Sequence, residues 1–194
     1  MVQIVFLLGM CAVAAWNFAN GATFRRWRSM RRLRSAEIVP IAALPENTAG
    51  RLVVANAGTS SVSTYVVRKN GTVQTITPAV EDGQNALCWL VGTGNTFFGG
   101  NAGSSTISAF AVDAAGTASL AGTPDGVVAR TGGGSGGTID LAVTTDGRFL
   151  YAENAFAGTV EGYRIRADHT LELVSTAIGL PRFDGHGMEG LVAL

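Results

Sequence analysis

A glycine-rich segment close to the C-terminus carries the residue types best suited to acid–base chemistry. Asp184, His186 and Glu189 lie close together in the sequence. Carboxylates beside an imidazole can move protons near neutral pH or hold a cation. Residues 189–194 are mostly apolar and predict a short innermost strand just after this loop. We therefore take His186 and Glu189 as candidate catalytic residues, and the alternative is a loop of merely solvated polar side chains.

Two other motifs that could carry chemistry are better explained as structural features of the chain. Residues 132–137 match the glycine spacing of a dinucleotide site, but a strand pattern follows where such a site requires a helix. We interpret them as a loop between sheets. His169 falls in a predicted hairpin turn and is expected to be solvated, and the chain's 2 histidines cannot form a three-histidine metal centre. The sequence predicts no cofactor and no metal.

A repeated unit of short strands must position these residues. Apolar strands that end near Asn56, Asn101 and Asn154 are each followed by a small-residue loop, an alternating strand, a turn and a third strand. Apolar runs at 87–91 and 139–143 supply a fourth strand in front of two of these units. Four antiparallel strands in about 45–50 residues are typical of one β-propeller blade.

The composition agrees with an all-β protein. Of 194 residues, 47% are hydrophobic and 14% are charged, so the chain can bury a core and wholesale disorder is a poor fit. The 26 glycines lack the period of collagen and favour tight turns between strands. Basic and acidic residues number 14 each, so no overall charge attracts polyanions and we predict no nucleic-acid partner.

Residues 1–48 differ from the remainder and are predicted to be a separate leader in front of the blades in 49–194. Residues 1–16 are almost wholly apolar, but a spanning helix needs about 20 residues, so no stable membrane span is expected. The protein is expected to be secreted or periplasmic if this stretch acts as a signal, and cytoplasmic otherwise. A solvated or targeting role and contact with anionic lipid or nucleic acid both stay open for the basic cluster. Its arginines are Arg25, Arg26, Arg28, Arg31, Arg32 and Arg34.

The blade sequence resembles a known family. Residues 146–154, which read Asp-Gly-Arg-Phe-Leu-Tyr-Ala-Glu-Asn, are similar to blades of the seven-bladed lactonase family, as are Trp89 and the segments 179–181 and 188–191. That family includes 6-phosphogluconolactonases and carboxymuconate cyclases. The resemblance covers about residues 50–194 and implies hydrolysis of a sugar-type lactone without an obligatory metal.

The resemblance also implies a site. Family members commonly have a Glu beside the Asn of the second strand and a Pro-Arg-His stretch entering an innermost strand. Glu153 precedes Asn154 instead of following it, and we expect Glu153 to be catalytic together with His186 and Glu189. Residues 136–138 read Gly-Gly-Thr where Pro-Arg-His would lie. The alternative is therefore a non-catalytic binding or scaffold module, or an inactive truncated fragment.

The number of blades leads to a further expectation. Residues 51–194 supply two full blades and most of a third, whereas a closed propeller needs about 4–8 blades. We therefore expect the C-terminal piece of a longer propeller. Uncovered apolar surface costs about 25 cal/mol per Å², so self-association through the uncovered blade faces is also expected. A sugar lactone is the expected small-molecule partner.

Overall fold

Strands and turns make up nearly all of the regular structure in the described part of the chain. The computed structural model describes residues 36–39, 48–134, 136–182 and 190–194. One short 3-10 helix occupies Gly132–Gly134. The strands are β1 Ala36–Val39, β2 Thr48–Asn56, β3 Ser61–Arg68, β4 Val73–Glu81, β5 Leu87–Thr93, β6 Thr96–Asn101, β7 Thr106–Val112, β8 Ala118–Ala121, β9 Val127–Arg130, β10 Thr138–Val143, β11 Phe149–Asn154, β12 Thr159–Ile165 and β13 Leu171–Ile178.

These strands form three antiparallel sheets, each following the order of the chain. The first sheet is β1-β2-β3-β4 and the third is β10-β11-β12-β13. The second is β5-β6-β7-β8, with β9 as an additional partner of β7. Such meanders, with each strand next to its sequence neighbour, are the architecture of propeller blades.

The sheets pack face to face through two large apolar cores, and a third apolar cluster is small. Phe97 and Phe98 are neighbours on β6, and successive side chains of a strand point to opposite faces. Phe97 packs with residues of the first sheet such as Val53 and Val62. Phe98 packs with residues of the third sheet, among them Leu141. The strand that opens the second sheet, β5, contacts both β1 and β10, the opening strands of its neighbours. The predicted all-β, partial β-propeller fold is confirmed.

The outer edge of the second sheet is divided into two short strands. β8 pairs with the second half of β7, and β9 pairs with its first half. The intervening turn contains Gly122 and Gly126, both at positive φ. The Asp125 carboxylate accepts hydrogen bonds from Thr123 Oγ1 at 2.8 Å and from the Val127 N–H at 3.2 Å. This closed turn interrupts the strand and gives the second sheet its fifth strand.

The first sheet is completed by residues that the sequence analysis placed in the leader. β1 pairs with β2, with Ala36 opposite Val54 and Val39 opposite Arg51. The boundary between leader and blades at residue 48 stays a prediction. Residues 1–35, with the apolar stretch and the arginine cluster, lie outside the described residues. Within the described ranges, no helix has the length and apolarity needed to cross a membrane.

The C-terminal residues do not form the strand that was predicted for them. Residues 190–194 have no strand structure. Their backbone instead meets a side chain, because the N–H groups of Gly190 and Leu191 donate to the Asp140 carboxylate on β10. The segment therefore lies beside the opening strand of the third sheet without joining its ladder.

Candidate functional site

The recurring asparagines lie at the ends of β2, β6 and β11, where they organise one end of each sheet. Asn56 Nδ2 donates to Ser63 Oγ at 2.8 Å, and Asn101 Nδ2 donates to Ser108 Oγ at 2.9 Å. Both contacts join the second strand to the third strand of the same sheet. The repeated asparagines detected in the sequence thus hold the hairpins that carry the surrounding loops.

The third asparagine makes a different contact because a glutamate replaces the serine. Glu161 stands in the third sheet where Ser63 and Ser108 stand in the others. Asn154 Nδ2 donates instead to Thr131 Oγ1 at 3.0 Å, in the segment that connects the second and third sheets, and to Ser105 Oγ at 3.4 Å, in the turn between β6 and β7. This end of the third sheet is therefore tied to its neighbour.

Glu161 in turn anchors the start of the glycine-rich loop of residues 132–137. Its Oε1 accepts the Gly132 N–H at 2.8 Å, and its Oε2 accepts the Tyr163 hydroxyl. Burial raises the pKa of Tyr163, and the hydrogen bond to Glu161 and the negative charge of that residue raise it further. Tyr163 therefore stays a neutral donor. The loop that Glu161 fixes leads into β10, as the sequence interpretation of residues 132–137 requires.

Two acidic residues are opposed on the face of the third sheet that points away from the second. Asp140 on β10 and Glu153 on β11 are direct cross-strand partners. Their sequence neighbours Leu141 and Ala152 belong to the core shared with the second sheet, so Asp140 and Glu153 lie on the opposite face. Directly opposed residues have Cβ atoms about 4.5–5.5 Å apart. Both side chains are buried, with relative exposures of 0% for Asp140 and 6% for Glu153.

Asp140 is the best-defined member of this pair. Its Oδ2 accepts the N–H of Gly190 at 2.8 Å and the N–H of Leu191. Its Oδ1 is buried and has no hydrogen-bond partner among the described residues. Burial raises the pKa of Asp140, and the backbone donors, with Leu191 first and Gly190 next, oppose that increase. A carboxyl group in such surroundings holds its proton to higher pH than a solvated aspartate does.

The structure locates only part of the predicted catalytic set. Glu153 lies beside Asp140, a residue that the sequence analysis did not select. His186 and Glu189 lie outside the described residues. The backbone directly after Glu189 does meet Asp140, so the described part of the C-terminal segment reaches the same face as Glu153.

The positively charged Arg182 lies at the end of the third sheet where β11 ends at Asn154. Leu180 N–H donates to the Gly158 carbonyl at 3.1 Å, on the loop that follows Asn154. A Cβ atom at Gly158 would come within 3.0 Å of Arg182 Cγ, so this glycine leaves room for the arginine stem. The exposed Arg182 thus runs along the loop that begins at the end of β11.

The expectation that His169 is solvated was wrong. This residue is half-buried, adopts a φ of 68°, and its Nδ1 lies 2.7 Å from Thr96 Oγ1 at the start of β6. The contact depends on how the third sheet stacks on the second, which no local pattern reveals. His169 therefore joins two blades at the end of the sheets opposite Asn154.

The acid pair does not extend to a larger cluster in the described ranges. No group of three or more His, Cys, Asp or Glu side chains is gathered there in an arrangement that could hold a metal ion. What the geometry offers is proton chemistry: two acidic residues opposed across β10 and β11, one of them with a raised pKa.

The stacked meanders with adjoining opening strands define a set of β-propeller blades. No protein-family model matches the sequence, and no curated protein is similar to it in sequence. Among solved structures, the periplasmic gluconolactonase PpgL of Pseudomonas aeruginosa aligns with a TM-score of 0.54 at 20% identity, over 68% of this chain and 40% of that one.

Two further structures align equally well. A protein from Lactobacillus plantarum gives a TM-score of 0.55 at 12% identity, over 68% of this chain and 40% of its own. A functionally unknown protein from Desulfotomaculum acetoxidans gives 0.57 at 16% identity, over 76% and 47%. The chain thus spans less than half the length of these structures. The likeness establishes the fold.

Proposed function

We propose that this chain supplies blades of a lactonase-like β-propeller hydrolase that opens sugar-type lactones. The observation that carries the proposal is the buried Asp140–Glu153 pair, on blades whose fold matches that of a protein described as a gluconolactonase. A hydrolase of this kind needs positioned proton acceptors and donors, and the acid pair meets that need.

The reaction balances with groups of this chain. Glu153 takes a proton from water while the water oxygen bonds to the lactone carbonyl carbon. The tetrahedral intermediate then expels the ring oxygen, and His186 or Glu189, in its protonated form, donates a proton to that alkoxide. Glu153 releases the proton that it took to solvent, and the proton donor is reprotonated from solvent. The product is an open-chain hydroxy acid. A positive charge stabilises the negative oxygen of the intermediate. Arg182, which follows β13 and lies against Gly158 in the loop after β11, is suited to that task.

Asp140 is a positioning residue in this scheme. It is fully buried and accepts hydrogen bonds from the backbone N–H groups of Gly190 and Leu191, which directly follow Glu189. Its cross-strand position also keeps a second carboxyl group beside Glu153.

Hydrolysis of glucono-1,5-lactone and of 6-phosphogluconolactone tests the proposal, with the uncatalysed rate subtracted. We expect Glu153→Gln to lower kcat/KM by about 10²–10⁴-fold, the usual contribution of a general base. His186→Ala and Glu189→Gln are expected to lower it as well. The matched control is Glu81→Gln, which removes an exposed carboxylate on β4, far along the chain from the site.

A thermal melt of each variant separates lost chemistry from lost folding. Activity unchanged by Glu153→Gln, His186→Ala and Glu189→Gln would refute the site. No activity in the folded wild-type chain, above the uncatalysed rate, would favour the non-catalytic binding or scaffold module for this piece.

A further inference from the structure

The outer strand of the third sheet presents an open edge. Among the described strands, β13 pairs only with β12. Its last six residues are all exposed. Three of them are large and apolar, with relative exposures of 55% for Leu173, 47% for Val174 and 81% for Ile178. An edge of this kind offers unpaired backbone donors and acceptors together with apolar side chains.

The other outer strands carry protection that β13 lacks. β4 contains Pro78, which has no N–H to donate, and ends in Glu81. β8 and β9 are only four residues long each. β13 has eight residues, no proline and no lysine or arginine. Its one charged residue, Glu172, is paired with Arg166 on the preceding turn at 3.0 Å.

We propose that β13 is a dimerisation edge, at which it pairs antiparallel with β13 of a second copy of this chain and joins two third sheets into one continuous sheet. The backbone supplies the hydrogen bonds, as in other cases of strand addition. The occupant is a second copy because the strand is complementary to itself.

That complementarity follows from the register. The shift between Gly162 and Tyr163 leaves Val174 as an extra residue of β13. As a result Leu171, Leu173, Thr176 and Ile178 lie on the face towards the second sheet, and Glu172, Ser175 and Ala177 lie on the other face.

A two-fold axis between Val174 and Ser175 then opposes side chains that share a face. Leu171 meets Ile178 of the second copy, Leu173 meets Thr176, and Glu172 meets Ala177. Opposed residues in an antiparallel ladder must point to the same side, and these three pairs satisfy that condition. No like charges face each other, because the only charged residue of the strand meets an alanine.

Sedimentation velocity of the full chain over a range of concentrations tests this proposal. We expect the mass of the sedimenting species to rise from that of one 20.0 kDa chain to that of two chains as the concentration increases. Val174→Lys places a charge from each copy next to the axis and is expected to weaken dimerisation by at least about tenfold. The matched control, Thr75→Lys, puts the same charge on the exposed part of β4 and should leave the dimer intact.

Two results would overturn the proposal. One is a monomer at every concentration. The other is a dimer that both Val174→Lys and Thr176→Lys leave unchanged, which would place the contact on the blade faces instead. Circular dichroism and a thermal melt accompany each variant, and Thr176→Lys decides the matter if Val174→Lys does not fold.

Discussion

Replacing Phe97 or Phe98 by alanine probes the stacking of the sheets directly. The two neighbours on β6 have relative exposures of 1% and 0%, and each lies in a different core. A buried phenylalanine removes about 150–250 Å² from water. At about 25 cal/mol per Å², and allowing for the methyl group that alanine retains, each substitution should lower the free energy of unfolding by about 3–5 kcal/mol. If one face of β6 were exposed to solvent, only one of the two substitutions would lower the free energy of unfolding by this much.

Urea unfolding followed by tryptophan fluorescence measures both losses. The control is Val73→Ala on β4, where the side chain is 53% exposed and the change should stay within about 0.5 kcal/mol. If either phenylalanine can be replaced at a loss below about 1 kcal/mol, one face of the second sheet is not covered as described, and the stacking of three blades is wrong.

Two further predictions concern the third sheet. Gly137 has a φ of 96°, and a Cβ atom there would lie 2.9 Å from the Phe156 backbone nitrogen, whereas at Gly134, with a φ of 84°, it would meet nothing within 4 Å. Gly137→Ala should therefore destabilise the protein by about 1–3 kcal/mol more than Gly134→Ala in the same urea assay, and equal losses would contradict the close approach. Because burial raises the pKa of Asp140 above its usual 3.8, the unfolded chain loses this proton first, and the Asp140 contribution to stability falls as pH rises through the folded-state value. The free energy of unfolding of the Asp140→Asn variant minus that of the wild type should therefore increase from about pH 4 towards neutrality. A difference that stays constant or decreases would show that the carboxyl group is solvated.

Much of the fold could be predicted because its strands have clear patterns. The sequence indicated a strand at 139–143 and an alternating strand after the loop that follows Asn154, and the structure has β10 at Thr138–Val143 and β12 at Thr159–Ile165. Alternation of apolar and polar residues between turn signals is a local property, so it can be recognised from the sequence alone. β1 was missed because four residues contain too few positions to reveal a period, and its identity as a strand depends on pairing with β2.

The candidate site was harder to predict because it depends on long-range contacts. Asp140 lies in a run that was interpreted only as an innermost strand, and nothing nearby in sequence indicates that Gly190 and Leu191 return to it. Glu153 was selected from a family resemblance, and its cross-strand neighbour became visible only with the register. The roles of Glu153, His186 and Glu189 stay predictions.

The adjacent placement of Phe97 and Phe98 has a consequence for local opening of the native state. β6 cannot detach without exposing two cores at once, whereas an outer strand such as β13 contributes only Leu171, at the margin of one core, and can fray more readily. Amide protons in the middle blade should therefore exchange with solvent most slowly, and protection should decline towards the outer strands, as in other arrays held together by nearest-neighbour contacts.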